Sequence, residues 1–198
     1  MQKSIAFFDF DGTVTKKDTM LELARFSSGN VLYLAGLSIL APWLIGMKLG
    51  FISRKKAKEK FLRHFFAAMP LHHFNELCIS FTEKKMPSLL KKEAIEKIHF
   101  HLNEQTTVVI VSASAENWVA PWCLKNNLQF ICTKLEVENN QLTGKLKGEN
   151  CNGDEKVIQI KQRFNLDDYD VIYCYGDTKG DKKMLALATH PYYKSFNT

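Results

Sequence analysis

Two carboxylates, Asp9 and Asp11, stand two residues apart at the end of a short apolar run, residues 4–8 (SIAFF). Side chains at this spacing can point into one crevice, and Gly12 lets the chain turn away directly after them. Neighbouring carboxylates repel each other unless a cation or a shared proton compensates. Mg²⁺ is the natural cation, because it prefers oxygen ligands and keeps waters that a phosphate can replace. A plain acidic turn is the alternative, since so short a motif also arises by chance.

A second acidic motif, GDTKGD, contains Asp177 and Asp181 and follows another apolar run, residues 170–174 (DVIYC). If the turn after this run brings Asp177 beside Asp9, the carboxylates form a metal site with more acidic groups than a structural turn requires. A surface acidic loop is the alternative. It does not explain why both acidic motifs follow apolar runs.

A hydroxyl group and an ammonium group lie between the two acidic motifs in the sequence. Ser112 follows the apolar run 107–111 (TVVIV), and Lys156 lies at the start of a predicted helix. A phosphoryl group with three charged oxygens needs anchors of these two kinds. Each residue alone is more often an ordinary strand-end serine or a surface lysine. In the order DxDGT, Ser, Lys, GDxxxD, the motifs form a specific pattern.

The three apolar runs are typical of strands that are buried on both faces of a parallel sheet. Between them the sequence predicts helices; in residues 89–102, for example, apolar residues recur every four positions. The alternation predicts an α/β fold with a Rossmann-like parallel sheet, whose ligands bind beyond the carboxyl ends of the strands. Residues 130–146 instead predict a β-hairpin at the edge of the core, with its turn at Asn139-Asn140.

Residues 16–95 show no strand pattern of this kind and are predicted to form an all-helical cap. The cap would be inserted into a catalytic core made of residues 1–15 and 96–198. Within the cap, residues 31–47 carry no charge over seventeen positions, which is the lower limit for a membrane span. A single crossing there would separate the first acidic motif from the other site residues by a bilayer.

The charge-free segment 31–47 is therefore predicted to form a cap helix or helical hairpin, broken or bent at Gly36, Pro42 and Gly46. We expect it to pack over the active site and to leave an apolar surface near the mouth. Such a surface would bind a second copy of the chain, giving a homodimer, or lipid, giving peripheral membrane contact.

Basic residues concentrate in residues 54–63 (RKKAKEKFLR), in a chain with 27 Lys and Arg against 21 Asp and Glu. A basic patch attracts phosphate groups, an anionic membrane surface or nucleic acid. A solvated helix face is the alternative. Nucleic acid is not expected as a partner, because the nearby Phe61, Phe65 and Phe66 have helical spacing that is typical of a core rather than of base stacking.

The composition is that of a globular protein, with 45% hydrophobic and 24% charged residues. The five cysteines are scattered and lack zinc-ligand spacing, so we expect reduced and mostly buried thiols. The apolar run near the N-terminus is too short for a signal peptide. These features predict a cytoplasmic location, with peripheral membrane contact through the cap as the alternative.

The ordered motifs DxDGT, Ser, Lys and GDxxxD resemble those of the haloacid dehalogenase (HAD) superfamily of phosphatases over nearly the whole chain. The resemblance implies that Asp9 attacks phosphorus and becomes an aspartyl phosphate. It implies that Asp11 protonates the leaving alkoxide and then deprotonates the hydrolytic water. Ser112 and Lys156 would hold the phosphoryl group.

The same resemblance implies a metal site. Mg²⁺ would be held by the carboxylates of Asp9 and Asp177 and by the backbone carbonyl of Asp11. Asp181 would lie outside this set of ligands, near Lys156 and the metal-bound water.

The position of the helical cap, between the first two motifs, resembles the HAD-IB branch that includes the phosphoserine phosphatases. This implies a hydrolase of phosphomonoesters that acts on a small phosphorylated metabolite. Asp18 stands where those enzymes carry a glutamate that recognises the substrate amino group, and Ser112-Ala113-Ser114 replaces their Ser-Gly-Gly turn. Asp18, Ser114 and Arg54 of the basic patch are therefore the candidates for substrate specificity.

Two other functions are compatible with the pattern. The charge-free cap segment followed by basic residues also resembles the bacterial phosphatidylglycerophosphate phosphatases of this superfamily, which implies a phosphorylated lipid head group as substrate. A phosphotransferase is the other alternative, since the cap decides whether water or another hydroxyl reaches the aspartyl phosphate. A module that only binds phosphate would not need Asp11.

Overall fold

The computed structural model describes residues 3–196, which form one six-stranded sheet and eight α-helices. The strands are β1 (Ser4–Phe8), β2 (Thr107–Ala115), β3 (Gln129–Glu138), β4 (Gln141–Lys147), β5 (Val171–Gly176) and β6 (His190–Tyr193). The helices are α1 (Thr19–Lys48), α2 (Arg54–Phe66), α3 (Leu71–Lys84), α4 (Met86–Leu89), α5 (Lys92–Asn103), α6 (Glu116–Lys125), α7 (Asp154–Arg163) and α8 (Lys182–Leu185).

The sheet has the strand order β4-β3-β2-β1-β5-β6, with β1 paired in parallel to both β2 and β5. β3 and β6 extend the parallel part on either side. All three predicted strands are present, and β1 and β2 are buried almost throughout. β6 has no predicted counterpart, because four residues that include a proline carry no strand pattern. The α/β, Rossmann-like fold is confirmed, and the carboxyl ends of β1, β2 and β5 meet at one edge.

The predicted β-hairpin is also confirmed. β3 and β4 pair antiparallel, and the turn residues Asn139 and Asn140 have φ angles of 49° and 60°. β4 then supports helix α2, since the backbone amide of Leu146 donates to Oε1 of Glu59 at 3.1 Å. A side chain at Gly144 would place its Cβ 2.4 Å from the Cα of Arg63, so only glycine allows the strand and the helix to come this close.

Helices α1 to α5 connect β1 to β2, where the helical insertion was expected. Helix α5 spans residue 95 and buries Ala94 and Ile98. The division into residues 1–15 with 96–198 and residues 16–95 stays a prediction, and residues 1–2 and 197–198 lie outside the described part of the chain.

The predicted bend in the charge-free segment is wrong in position. Helix α1 continues through Gly36, Pro42 and Gly46, and its non-helical backbone lies at Gly29, with φ 74° and ψ 169°. Glycine reaches this positive φ without steric cost. Gly36 serves a different purpose, because a Cβ there would lie 2.6 Å from the ring of Phe65; it lets α1 and α2 approach closely.

The cysteines are as expected, since all five are free and buried. Burial raises the pKa of Cys151 and of Cys174 to about 12, which keeps these thiols protonated. All five pack in the two hydrophobic clusters of the protein.

Candidate active site

Asp9 directly follows β1 and is only 7% exposed. Its backbone amide donates to the carbonyl oxygen of Tyr175 in β5 at 2.9 Å, which continues the parallel pairing past the end of the strand. Lys156, in the first turn of α7, donates from Nζ to Oδ1 of Asp9 at 2.5 Å and to Oδ1 of Asp181 at 2.7 Å. The lysine is buried, so it ties the two acidic motifs together.

Thr13 bridges Asp9 and Asp177. Its hydroxyl lies 3.1 Å from Oδ2 of Asp9 and 3.2 Å from Oδ1 of Asp177. Gly12 makes this approach feasible. Its φ is 88°, and a Cβ at this position would lie 2.4 Å from Oδ2 of Asp177. Any other residue would be strained and would push Asp177 away. The sequence motif contains Thr13, but its spacing did not reveal this bridging role.

Three carboxylates meet here. Ligand oxygens of Asp9, Asp177 and Asp181 all lie within 4.8 Å of one another. Burial raises the pKa of Asp9 to about 7; the positive charge of Lys156 opposes this and the negative charge of Asp181 adds to it. Lys156 binds two of these three carboxylates, and the third, Asp177, is affected by the charge of Lys91, so the carboxylates still outnumber the ammonium groups. An all-oxygen set with surplus negative charge suits a hard divalent cation, so these residues fit the metal that the sequence predicts.

Asp11 is held on both sides by hydrogen bonds from the cap and the core. The hydroxyl of Ser114 donates to its Oδ2 at 2.5 Å, and the backbone amide of Thr19 donates to its Oδ1 at 2.6 Å. Trp118 donates from Nε1 to the hydroxyl of Thr19 at 3.0 Å, and that hydroxyl lies 3.2 Å from Oγ of Ser114. Thr19 is the first residue of α1, so the chain of contacts joins Asp11 to the start of the cap.

The end of β2 shapes the turn that carries both serines. Ser112 is 1% exposed, and its Oγ accepts a hydrogen bond from the backbone amide of Ser114 at 2.9 Å. The pairing of β2 with β3 shifts register between Ser112 and Ala115. Because Ser112 and Ser114 are two residues apart, the alternation of a strand places their side chains on the same side, and the irregularity interrupts the regular pairing just before α6.

Lys58 is a site residue that the sequence interpretation did not single out. It donates from Nζ to the carbonyl oxygen of Ala113 and to Oδ1 of Asn150, the latter at 3.0 Å. Burial lowers its pKa, while the nearby charge of Asp11 opposes this. A sequence signal was present: residues 54, 57, 58 and 61 share one helical face, and Ala57 and Phe61 are buried. The basic patch is thus not one surface, since Lys58 points inward.

A cleft of about 540 Å³ leads from solvent to these residues. Asp9, Asp11 and Lys156 lie at its polar end, and all three predicted specificity residues, Asp18, Ser114 and Arg54, line it. Asp18 also caps α1, accepting from the amide of Leu21 at 3.1 Å. The apolar part of the cleft wall comes from α1 and α2 of the cap. Its members are Met20, Leu21, Leu37, Leu44, Met47 and Phe61.

Asp177 lies on the other side of the acidic cluster. It lines an adjoining cavity of about 300 Å³ together with Lys16, Lys91 and Lys194. Lys91 is buried and donates from Nζ to the carbonyl oxygen of Gly12 at 2.7 Å. This bond fixes the turn that follows Asp11.

Comparison with known proteins places this chain in a family. The model of the haloacid dehalogenase-like hydrolases matches residues 6–186. Protein CicA of Caulobacter vibrioides is 31% identical over 191 residues, which cover 96% of this chain and 85% of that protein.

Solved structures share the fold. A protein of unknown function from Bordetella pertussis Tohama I has a TM-score of 0.82 and 22% identity, over 96% of this chain and 88% of that one. A structure described as a phospho-aspartyl intermediate analogue of phosphoserine phosphatase has a TM-score of 0.63 and 22% identity, over 95% and 84% of the two chains.

Proposed function

The chain belongs to the haloacid dehalogenase-like hydrolases, and from this membership we propose that it hydrolyses phosphomonoesters through an aspartyl phosphate on Asp9. The observation that carries the proposal is the polar end of the cleft. There Asp9, Asp11 and Lys156 line one space with Ser114, whose backbone amide donates to the buried Ser112. The similar phosphoserine phosphatase structure, with its phospho-aspartyl analogue, supports the same chemistry.

In the first step, a carboxylate oxygen of Asp9 attacks phosphorus, and the bond between phosphorus and the ester oxygen breaks. Asp11 gives its proton to the leaving oxygen. Lys156 and Ser112 hold the phosphoryl oxygens as charge moves onto them. In the second step, Asp11 takes a proton from water, which attacks phosphorus and releases inorganic phosphate and the free carboxylate of Asp9.

The metal that we propose is Mg²⁺, held by the carboxylates of Asp9 and Asp177 and by the backbone carbonyl of Asp11. When bound, it neutralises charge on the phosphoryl oxygens and on the carboxylates. Asp181 is better suited to positioning Lys156. Its Oδ1 accepts from Lys156, and its Oδ2 accepts from the amide and hydroxyl of Thr178 at 2.9 and 2.7 Å, and these three hydrogen bonds hold the carboxylate beside Lys156.

We propose a small phosphorylated metabolite such as phosphoserine as one class of substrate, with Asp18 available to an amino group. A phosphorylated lipid head group is the second candidate, and the apolar cap wall of the cleft favours it. Phosphoserine has no apolar group to cover Leu37, Leu44 and Met47. The buried, free cysteines accord with the proposed cytoplasmic location.

Release of phosphate from phosphoserine and from a series of n-alkyl phosphates, in one magnesium buffer, tests the proposed function. We expect kcat/KM to rise about fourfold for each methylene that the apolar wall covers, since burying one CH₂ contributes about 0.8 kcal/mol. A preference for phosphoserine, with no dependence of kcat/KM on alkyl chain length, would indicate that the substrate is an amino-acid phosphate. No phosphate release from any ester would contradict the proposed function itself.

Ser114→Ala is expected to weaken catalysis through Asp11. Loss of the 2.5 Å hydrogen bond leaves one carboxylate oxygen of Asp11 unheld, so proton donation to the leaving group becomes less efficient. We expect kcat/KM to fall about tenfold for an alkyl phosphate and to change little for p-nitrophenyl phosphate, whose leaving group needs no proton. An equal loss on both substrates would indicate a general disturbance of the cleft. Ser88→Ala, at an exposed serine in α4, is the control.

A further inference from the structure

The outward face of helix α1 is a large apolar surface in contact with solvent. Val31 is 80% exposed, Leu34 61% and Ile45 58%. Leu49 and Phe51, just beyond the helix, are 65% and 85% exposed. Of the most apolar 18-residue window in this helix, only 11% is buried. Isolated exposed leucines are ordinary, but a contiguous apolar stripe on a soluble protein marks an interaction surface.

The opposite face of α1 packs against the rest of the protein. Gly36 and Leu40 are buried, with Gly36 against α2, while Leu37 and Leu44 line the cleft. Within residues 3–196, no element covers the outward face. Although α1 is long and apolar enough to cross a membrane, a crossing would strip it from α2 and from the cleft. A position in the plane of an interface keeps these contacts and still buries the outward face.

Basic side chains border this surface at one end. Lys48 ends α1, and Arg54 and Lys56 are exposed in the first turn of α2. Lys60 lies over the ring of Trp43, with its Nζ 5.0 Å from the ring centre, and Trp43 itself is 41% exposed. Tryptophan is enriched at the boundary between lipid head groups and water, and lysine side chains extend to it.

We propose that the outward face of α1, with this basic border, binds the surface of an anionic membrane. Apolar side chains would enter the boundary between head groups and acyl chains, and Lys48, Arg54 and Lys56 would contact the negative head groups. A second copy of the chain fits less well, because residues 31–63, which form this face and its basic border, contain only one acidic residue, Glu59, to pair with the basic border in an isologous contact. Because α1 also lines the cleft, docking places the cleft beside lipid; that this delivers a lipid substrate rests on the function proposed above.

Trp43 provides a specific probe of docking. The other two tryptophans, Trp118 and Trp122, are buried, so a change in the polarity around Trp43 dominates any shift in emission. On addition of phosphatidylglycerol-containing vesicles at low salt, we expect a blue shift and co-sedimentation of the protein with the vesicles. Both effects should weaken at high salt and with purely zwitterionic vesicles. Trp43→Phe should remove the shift and keep the co-sedimentation.

A triple variant, Leu34→Glu with Ile45→Glu and Leu49→Glu, should bind anionic vesicles more than about tenfold more weakly. Leu124→Glu is the matched control, since Leu124 is 66% exposed at the end of α6. Both variants should keep the melting temperature and the hydrolysis of p-nitrophenyl phosphate. Asp9→Asn should bind vesicles as the unchanged protein does, which separates docking from catalysis.

Two results would overturn the proposal. One is no binding of the unchanged protein to anionic vesicles at low salt. The other is a dimer in sedimentation velocity that the triple variant dissociates, which would assign the surface to a second copy of the chain.

Discussion

Asp9→Asn is expected to lower kcat by more than about a hundredfold and to leave the protein folded. The amide has nearly the shape of the carboxylate but cannot attack phosphorus. Lys156 keeps Asp181 as a partner at 2.7 Å, so the substitution does not leave a buried ammonium group unpaired. The measurement is hydrolysis of p-nitrophenyl phosphate at saturating substrate, with thermal unfolding as the check on folding.

In the metal-free protein, the stability of Asp9→Asn relative to the unchanged protein should also depend on pH. Burial raises the folded-state pKa of Asp9 to about 7, above its ordinary value, so ionised Asp9 disfavours the folded state. This destabilisation of the folded state is absent at low pH and grows as pH rises towards 7. Asp9→Asn should therefore be relatively more stable above pH 7 than below pH 4. Asp154→Asn, at an exposed carboxylate, should change neither activity nor this profile. If Asp9→Asn kept more than about a hundredth of the original activity, another residue would be the nucleophile.

Removal of divalent metal should abolish activity. EDTA leaves the carboxylates of Asp9 and Asp177 mutually repulsive and the phosphoryl charge uncompensated. Mg²⁺ should restore full activity, whereas Ca²⁺ should restore little, because its larger and looser coordination shell positions a phosphate poorly. Full activity in a chelated sample would contradict the metal assignment.

Metal binding has a readout that does not depend on turnover. At a Mg²⁺ concentration about 100 times the dissociation constant, stability should rise by about 2.7 kcal/mol, or about 5–10 °C in melting temperature for a chain of this size. The shift should be larger at pH 8 than at pH 5, because protons compete for Asp9 below its pKa of about 7. Asp177→Asn should reduce the shift, and Asp154→Asn should leave it intact.

The parts of this molecule that were predicted from sequence are those that local patterns determine. Buried parallel strands need continuous apolar runs, so β1, β2 and β5 are visible in the sequence, and the motifs that follow them meet because parallel strands end at one edge. The hairpin was predictable for a similar reason, since two asparagines tolerate the positive φ of a tight turn.

The features that were missed depend on contacts between distant segments. Ser114 was predicted only as a specificity residue, whereas it binds Asp11 together with Thr19, and Trp118 binds Thr19 from a third element. The inward position of Lys58 was visible only as a helical spacing with Ala57 and Phe61, which the surrounding lysines obscured. The bend of α1 was misplaced because Gly36 allows α1 and α2 to pack closely and does not break the helix. The need for a small residue there can be recognised only when the position of α2 is known.

Trapping the phosphorylated protein tests the role of Asp9 as the nucleophile. The Asp11→Asn variant lacks the base for the second step, yet p-nitrophenyl phosphate needs no acid in the first, so phosphoenzyme should accumulate. The reaction is quenched in acid, digested and analysed by mass spectrometry. We expect one phosphoryl group on Asp9 and none in the Asp9→Asn/Asp11→Asn double variant. Phosphorylation at another residue, or steady phosphate release with no phosphorylated protein, would contradict it.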